Sequence, residues 1–138
     1  MARPYLGGSS AGVETLSEAV TLGVKDNGKV FILTKASSYA VTLPPCSTSV
    51  GFVATFINGD GLSGNVDITA DPADSMYGIL LTGEADATDS NEYFDANDYV
   101  RMVGAQSVQG DRVDVMCDGS RWYTYGYAGD KNHIDGAG

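Results

Sequence analysis

Residues 111–127 constrain the fold more than any other stretch of the chain. Val113, Val115 and Cys117 alternate with Arg112, Asp114 and Met116, the period of a strand with one face buried. Asp118-Gly119 comes next, a hairpin signal, because glycine tolerates the positive φ that tight hairpin turns need. The chain then returns through Trp122, Tyr123, Thr124, Tyr125 and Tyr127, residue types that fit a pleated surface.

The length of the loop decides which aromatics are inside. A two-residue loop pairs Val115 with Trp122, and a four-residue loop, residues 118–121, pairs Cys117 with Trp122. Both put Trp122 on the face of Val113, Val115 and Cys117. A three-residue loop would turn Tyr123 and Tyr125 inward instead, since a slip of one residue reverses every side chain. That alternative buries tyrosine hydroxyls that would each need a partner. Trp122 is therefore expected inside, as the core anchor of one sheet. Tyr123, Tyr125 and Tyr127 are then expected outside, as a subunit interface, a sugar-stacking surface or ordinary cross-strand packing.

Residues 1–12 are expected to be a flexible arm. Gly7, Gly8, Ser9, Ser10 and Gly12 make a spacer, and Arg3, Pro4, Tyr5 and Leu6 make a tip with the residue types of an interface anchor. Residues 13–22 hold one or two short strands, and residues 17–24 have room for one helical turn. Asp26-Asn27-Gly28 is a turn. Residues 29–34 are almost continuously apolar, which predicts a central strand covered on both faces. Tyr39, Val41 and Leu43 share a face until Pro44-Pro45 ends the strand. Val50, Phe52, Ala54 and Phe56 share the next face, with Gly51, Val53, Thr55 and Ile57 opposite. Further strands are expected at residues 66–69, 79–82, near 93–94 and at 99–103. Residues 84–98 form an acidic loop, and residues 129–138 a flexible, Gly-rich tail.

The chain has 138 residues, enough for one domain with a sizeable core. Its 18 glycines fall mostly between apolar runs, which is the punctuation of many short strands. These readings predict an all-β fold, an antiparallel β-sandwich or jelly roll over residues 13–128, with an extended N-terminal arm and no internal repeat.

Charge narrows the partners. The net charge of −10 argues against nucleic acid, which requires Lys and Arg at phosphates. No stretch approaches a membrane span. The opening residues lack the apolar run of a signal peptide, so manufacture in a cytoplasm is expected. Cys46 and Cys117 sit in apolar settings and are expected to be buried free thiols, with a single disulfide as the alternative, for which nothing in their spacing argues.

Several elements together resemble a known class. Asp26-Asn27-Gly28-Lys29-Val30-Phe31-Ile32-Leu33-Thr34 is followed by Val41-Thr42-Leu43-Pro44, and the chain later runs through Val115-Met116-Cys117-Asp118-Gly119-Ser120-Arg121-Trp122-Tyr123. This order, over residues 4–127, resembles the small β-rich surface proteins of tailed-phage virions: head decoration (cement) proteins and related fibre modules. The opening from Pro4 to Gly12 resembles the start of such proteins in short-tailed phages of aquatic bacteria. The resemblance implies a non-enzymatic homotrimer on the outside of the assembled capsid, bound to the major capsid protein and docked by the arm tip. A fibre or spike tip that binds host glycan is the alternative.

The chemistry expected of the side chains is sparse. The single histidine, His133, lies in the polar tail, where nothing positions it for Ser-His-Asp chemistry. One histidine and two distant cysteines do not make a zinc set. Asp60, Asp71, Asp74, Asp86, Asp89, Asp95 and Asp98 read as solvated loop charge, with no fixed carboxylate pair for glycoside hydrolysis. A Ca²⁺ site in the loop between Asp86 and Asp98 is the sharper possibility there. No catalytic residue, resident metal or cofactor is expected.

Overall fold

The structure is a computed structural model that describes residues 12–34, 37–83 and 93–137. These residues form two mixed β-sheets. The strands are β1 (Val13–Leu16), β2 (Val20–Thr21), β3 (Val30–Leu33), β4 (Tyr39–Thr42), β5 (Val53–Asn58), β6 (Val66–Thr69), β7 (Met76–Thr82), β8 (Tyr93–Asn97), β9 (Tyr99–Met102), β10 (Arg112–Cys117), β11 (Trp122–Ala128) and β12 (Ile134–Ala137). A seven-stranded sheet has the order β1-β3-β5-β10-β11-β7-β8, and a five-stranded sheet the order β12-β9-β6-β4-β2.

The first half of the chain winds between the sheets. Each coil leaves one strand in the larger sheet and the next in the smaller. In the larger sheet Val13 stands beside Val30, and Val30 beside Thr55, all in parallel. In the smaller sheet Val20 stands beside Val41, and Val41 beside Ile68, again in parallel. Three stacked coils result. The later strands close on them antiparallel, β9 on β6 and β10 on β5.

This corrects the expected antiparallel arrangement. Among the described residues half of the ten strand pairings are parallel, which departs from the antiparallel pattern of a jelly roll. The cause lies in what the turns do. Asp26-Asn27-Gly28 carries the chain from β2 in the smaller sheet to β3 in the larger, and Asn58-Gly59-Asp60-Gly61 carries it back from β5 to β6. A turn signal shows that the chain changes direction, not which sheet it enters. Asp118-Gly119 gives the direct hairpin.

That hairpin has the four-residue loop. Cys117 pairs with Trp122 and Val115 with Thr124. The loop is pinned by Asp118, whose Oδ1 accepts from the Ser120 and Arg121 N–H groups at 2.8 and 2.9 Å. Trp122 is 0 % exposed. Its ring meets Phe52 edge-on, with centroids 5.6 Å apart. Phe31 and Phe56 stack at 5.3 Å. Val41, Ile68, Val100 and Met102 of the smaller sheet join the same buried cluster, so both sheets share one core.

Four local expectations are corrected. Residues 134–137 are not a loose tail but edge strand β12, paired with β9, and Ile134 is wholly buried. The body therefore extends past residue 128. Val50 points out, at 72 % exposure, because it precedes β5 in a turn and does not share its alternation. Val30 and Ile32 are half-buried, so β3 is flanked by strands on both edges but covered on one face only. Residues 17–24 hold β2, and the 3-10 turn lies later, at Val24–Asp26.

Of the N-terminal segment only Gly12 is described, and its carbonyl accepts from the Val30 N–H at 2.7 Å. Arg3, Pro4, Tyr5 and Leu6 lie outside the described residues. So do residues 84–92 of the acidic loop.

Candidate functional site

The alternation that buries one face of the seven-stranded sheet fills the other face with apolar and aromatic side chains. Strand register places them in transverse rows. One row runs from Val13 through Val30 and Thr55 to Asp114, then Tyr125, Ile79 and Tyr93. Beside it Ile32, Ile57, Arg112, Tyr127 and Leu81 form a second. Val53, Met116, Tyr123 and Tyr77 form a third.

Large apolar groups in these rows remain accessible. Met116 and Val53 are 45 % and 42 % exposed, and Tyr125 and Tyr127 are 39 % and 41 % exposed. Single exposed hydrophobic residues are ordinary, but a contiguous set across a whole sheet marks an interaction surface. The tyrosines stand outside as expected, on the face opposite Trp122. Val13, Val53, Met116, Ile79 and Leu81 join this face without having been expected there. The signal was present in β5, where Val53 and Ile57 oppose Ala54 and Phe56: a strand apolar on both sides is covered twice or sticky on one side.

Charge within the rows is confined to one pair. Arg112 Nε and Nη2 donate to the two carboxylate oxygens of Asp114 at 2.8 and 2.9 Å. Thr55 Oγ1 donates to Asp114 Oδ1 at 2.9 Å. The carboxylate raises the Arg112 pKa above its ordinary value, against the opposing effect of desolvation. The guanidinium also lies 5.8 Å from the centre of the Tyr127 ring. Nearer the hairpin tip, Arg121 sits 5.4 Å over Tyr77, and a hydrogen bond to Asp118 raises the Tyr123 pKa. The face is thus stiff and locally neutral on a strongly acidic chain.

The opposite outer face has different chemistry. Thr21, Thr42, Thr69 and Tyr99 form one row across the five-stranded sheet, with Ala40, Asp67, Arg101 and Asp135 beside them. Arg101 makes a bidentate pair with Asp67 at 2.7 and 2.9 Å. One outer face is polar and the other apolar.

The titratable groups elsewhere are built into the framework. His133 lies in the 3-10 turn Lys131–His133, with Nδ1 2.9 Å from Asp111 Oδ2 but off the line of a hydrogen bond. Ser107 Oγ donates to the same Asp111 oxygen and accepts from Asn58 Nδ2, each at 2.9 Å. A nucleophilic serine would instead donate to the imidazole. Here serine and histidine both address the carboxylate, an arrangement that ties β5, the β10 entry and the final turn together. Cys46 and Cys117 are buried free thiols, and burial raises the Cys46 pKa, with the neighbouring Cys117 thiol adding to the effect.

Among the described residues no cluster of three or more potential metal ligands occurs, and no helix is long and apolar enough to cross a membrane. The Asp86–Asp98 site lies largely outside the described residues. Comparison with protein-family models, with curated proteins and with solved structures finds no match.

Proposed function

We propose that the chain is a non-enzymatic structural protein of a tailed-phage virion, held on the outside of the assembled head as a decoration or cement module. Its body is read as a two-layer β-sandwich, and its partners as the major capsid protein and further copies of itself, three by the resemblance. The observation that carries the adhesive role is the apolar, internally neutral face of the seven-stranded sheet, a surface suited to being covered by protein. The phage head as the setting rests on the sequence resemblance alone. A shell gains stability by mass action from anything that binds only its assembled lattice, and several arms on one oligomer add avidity. Arg3, Pro4, Tyr5 and Leu6 would supply the capsid contact.

The test is co-sedimentation with purified heads that lack the protein. The full chain is expected to pellet with mature heads in many copies per particle. A chain lacking residues 2–11, which keeps the Gly12–Val30 hydrogen bond, is expected to fold and to bind more weakly. Binding to host cells instead of heads would favour the glycan-binding fibre tip. For that second role the tyrosine rings would have to be free to stack, and Arg112 already lies over Tyr127.

A further inference from the structure

We infer that the occupant of the apolar sheet face is another copy of this same chain, so that the seven-stranded sheets pack against one another and the five-stranded sheets face solvent. Three observations argue for a copy over a foreign partner.

The first is size. Seven strands spaced by about 4.8 Å, with three rows of side chains about 7 Å apart, make a face of roughly 500–600 Å². Two such faces in contact would remove about 1,000–1,200 Å² of surface, just past the area of about 1,000 Å² that a specific interface has to clear and at the small end of specific interfaces.

The second is charge. The chain carries −10 overall, so two copies repel each other along most approaches. In the sheet-face rows the charge of Asp114 is matched by Arg112, and copies meeting there bury no unmatched charge. A basic partner would gain nothing from this face and would be drawn to the acidic remainder of the surface.

The third is the contrast between the two outer faces. The threonine row and the Asp67–Arg101 pair of the smaller sheet are suited to water, whereas Met116, Tyr125 and Ile79 are not. A monomer would leave both faces wet. Association through the larger sheet alone buries the face that water solvates poorly.

The inference rests on the self-association proposed above, for which it supplies the surface, and does not depend on the phage setting. A chain that self-associates but ignores heads would uphold it and sink the virion reading; a single chain that binds heads would do the reverse.

The experiment is a sedimentation-equilibrium mass for the full chain at physiological salt, over a range from about 1 to 100 μM. A mass of two or three chains is expected. Tyr125→Glu and, separately, Ile79→Lys place charge in the middle of the face at exposed positions. Each should weaken association by tenfold or more while the near-ultraviolet signal of Trp122 stays unchanged. Thr69→Glu, on the opposite face, should leave the mass as it was. A mass of one chain across the range overturns the inference, whether the face is then found protected by residues 1–11, found bound to heads or found open to water. Unchanged association in both Tyr125→Glu and Ile79→Lys overturns it as well.

Discussion

Gly78 lies so close to the peptide of Thr124 that a Cβ built on it would run into the Thr124 carbonyl oxygen. The two residues are register partners in the parallel pair β7–β11, beside a register irregularity between Met76 and Gly78 on the β8 side. Backbone on both sides leaves no flexible atom to give way. Gly78→Ala is therefore expected to cost about 3 kcal/mol or more. Gly83→Ala, where the nearest atom would be the Gly129 carbonyl oxygen at 3.6 Å, is expected to stay within about 0.5 kcal/mol of wild type. Urea denaturation of the two variants measures the contrast, and equal midpoints would refute it.

Trp122 fills the middle of the core, yet its Nε1 is buried with no hydrogen-bond partner among the described residues. Trp122→Ala opens a large cavity and is expected to cost about 3–5 kcal/mol. Trp122→Phe keeps a ring against Phe52 and also removes the unpaired donor, whose burial is itself unfavourable. Its cost is expected to be about 1–2 kcal/mol. Thermal unfolding followed by far-ultraviolet dichroism separates the two; a Phe variant as weak as the Ala variant would contradict the argument.

Asp111 is buried and accepts from Ser107 Oγ at 2.9 Å, the Val108 N–H at 2.8 Å and the Gly129 N–H at 3.3 Å, with His133 beside it. Asp111→Ala strands all of these groups at once. An expected loss of about 2–4 kcal/mol follows from leaving buried donors unmatched. Ser107→Ala removes one of the donors to Asp111 and also the acceptor of the buried Asn58 amide, and should cost about 1–2 kcal/mol. Chemical denaturation of both variants tests the ranking.

Asp26 gives the acid limb a specific shape. Burial alone would raise its pKa, but the Gly23 N–H at 3.0 Å and the Lys29 ammonium at 2.9 Å outweigh that and hold it below the ordinary carboxylate range. A carboxyl whose folded pKa lies below its unfolded value near 3.9 contributes stability that is complete above that pH. The contribution drains away as pH falls through the folded value. Asp26→Asn should flatten this part of the melting-temperature curve between about pH 4 and pH 2. Lys29 has the opposite sign. Hydrogen bonds to Asp26 and Glu14 raise its pKa, so its contribution is complete below its unfolded pKa near 10.4 and is lost only as pH climbs through the folded value. Acid curves of the same slope in both proteins would rule out the Asp26 role.

The sequence made some of this fold legible and hid the rest for physical reasons. The inward Trp122 could be read because alternation and a glycine turn are local properties of residues 111–127. The alternation of Val66 and Ile68 could be read for the same reason. The parallel coils could not. Val13, Val30 and Thr55 stack in space, but the loops between them differ in length, so no fixed period marks them. β12 was hidden because Ile134 is the one large apolar residue among His133, Asp135, Gly136 and Ala137. An edge strand needs only one such anchor, and composition then looks like a tail. The candidate face fell between these cases. Tyr123, Tyr125 and Tyr127 could be seen on one strand, while their alignment with Ile79, Met116 and Val53 depends on pairings between distant segments.

β12 is made after every other described strand, and Ile134 seats in the core shared by both sheets. Once residue 128 has emerged from the ribosome, all seven strands of the larger sheet are present, but not the side chain that completes the smaller one. The nascent chain can stack its first three coils early, yet lasting closure has to wait for this late strand. Chains that stop short of it would leave the seat of Ile134 empty and present an unfinished core to proteases.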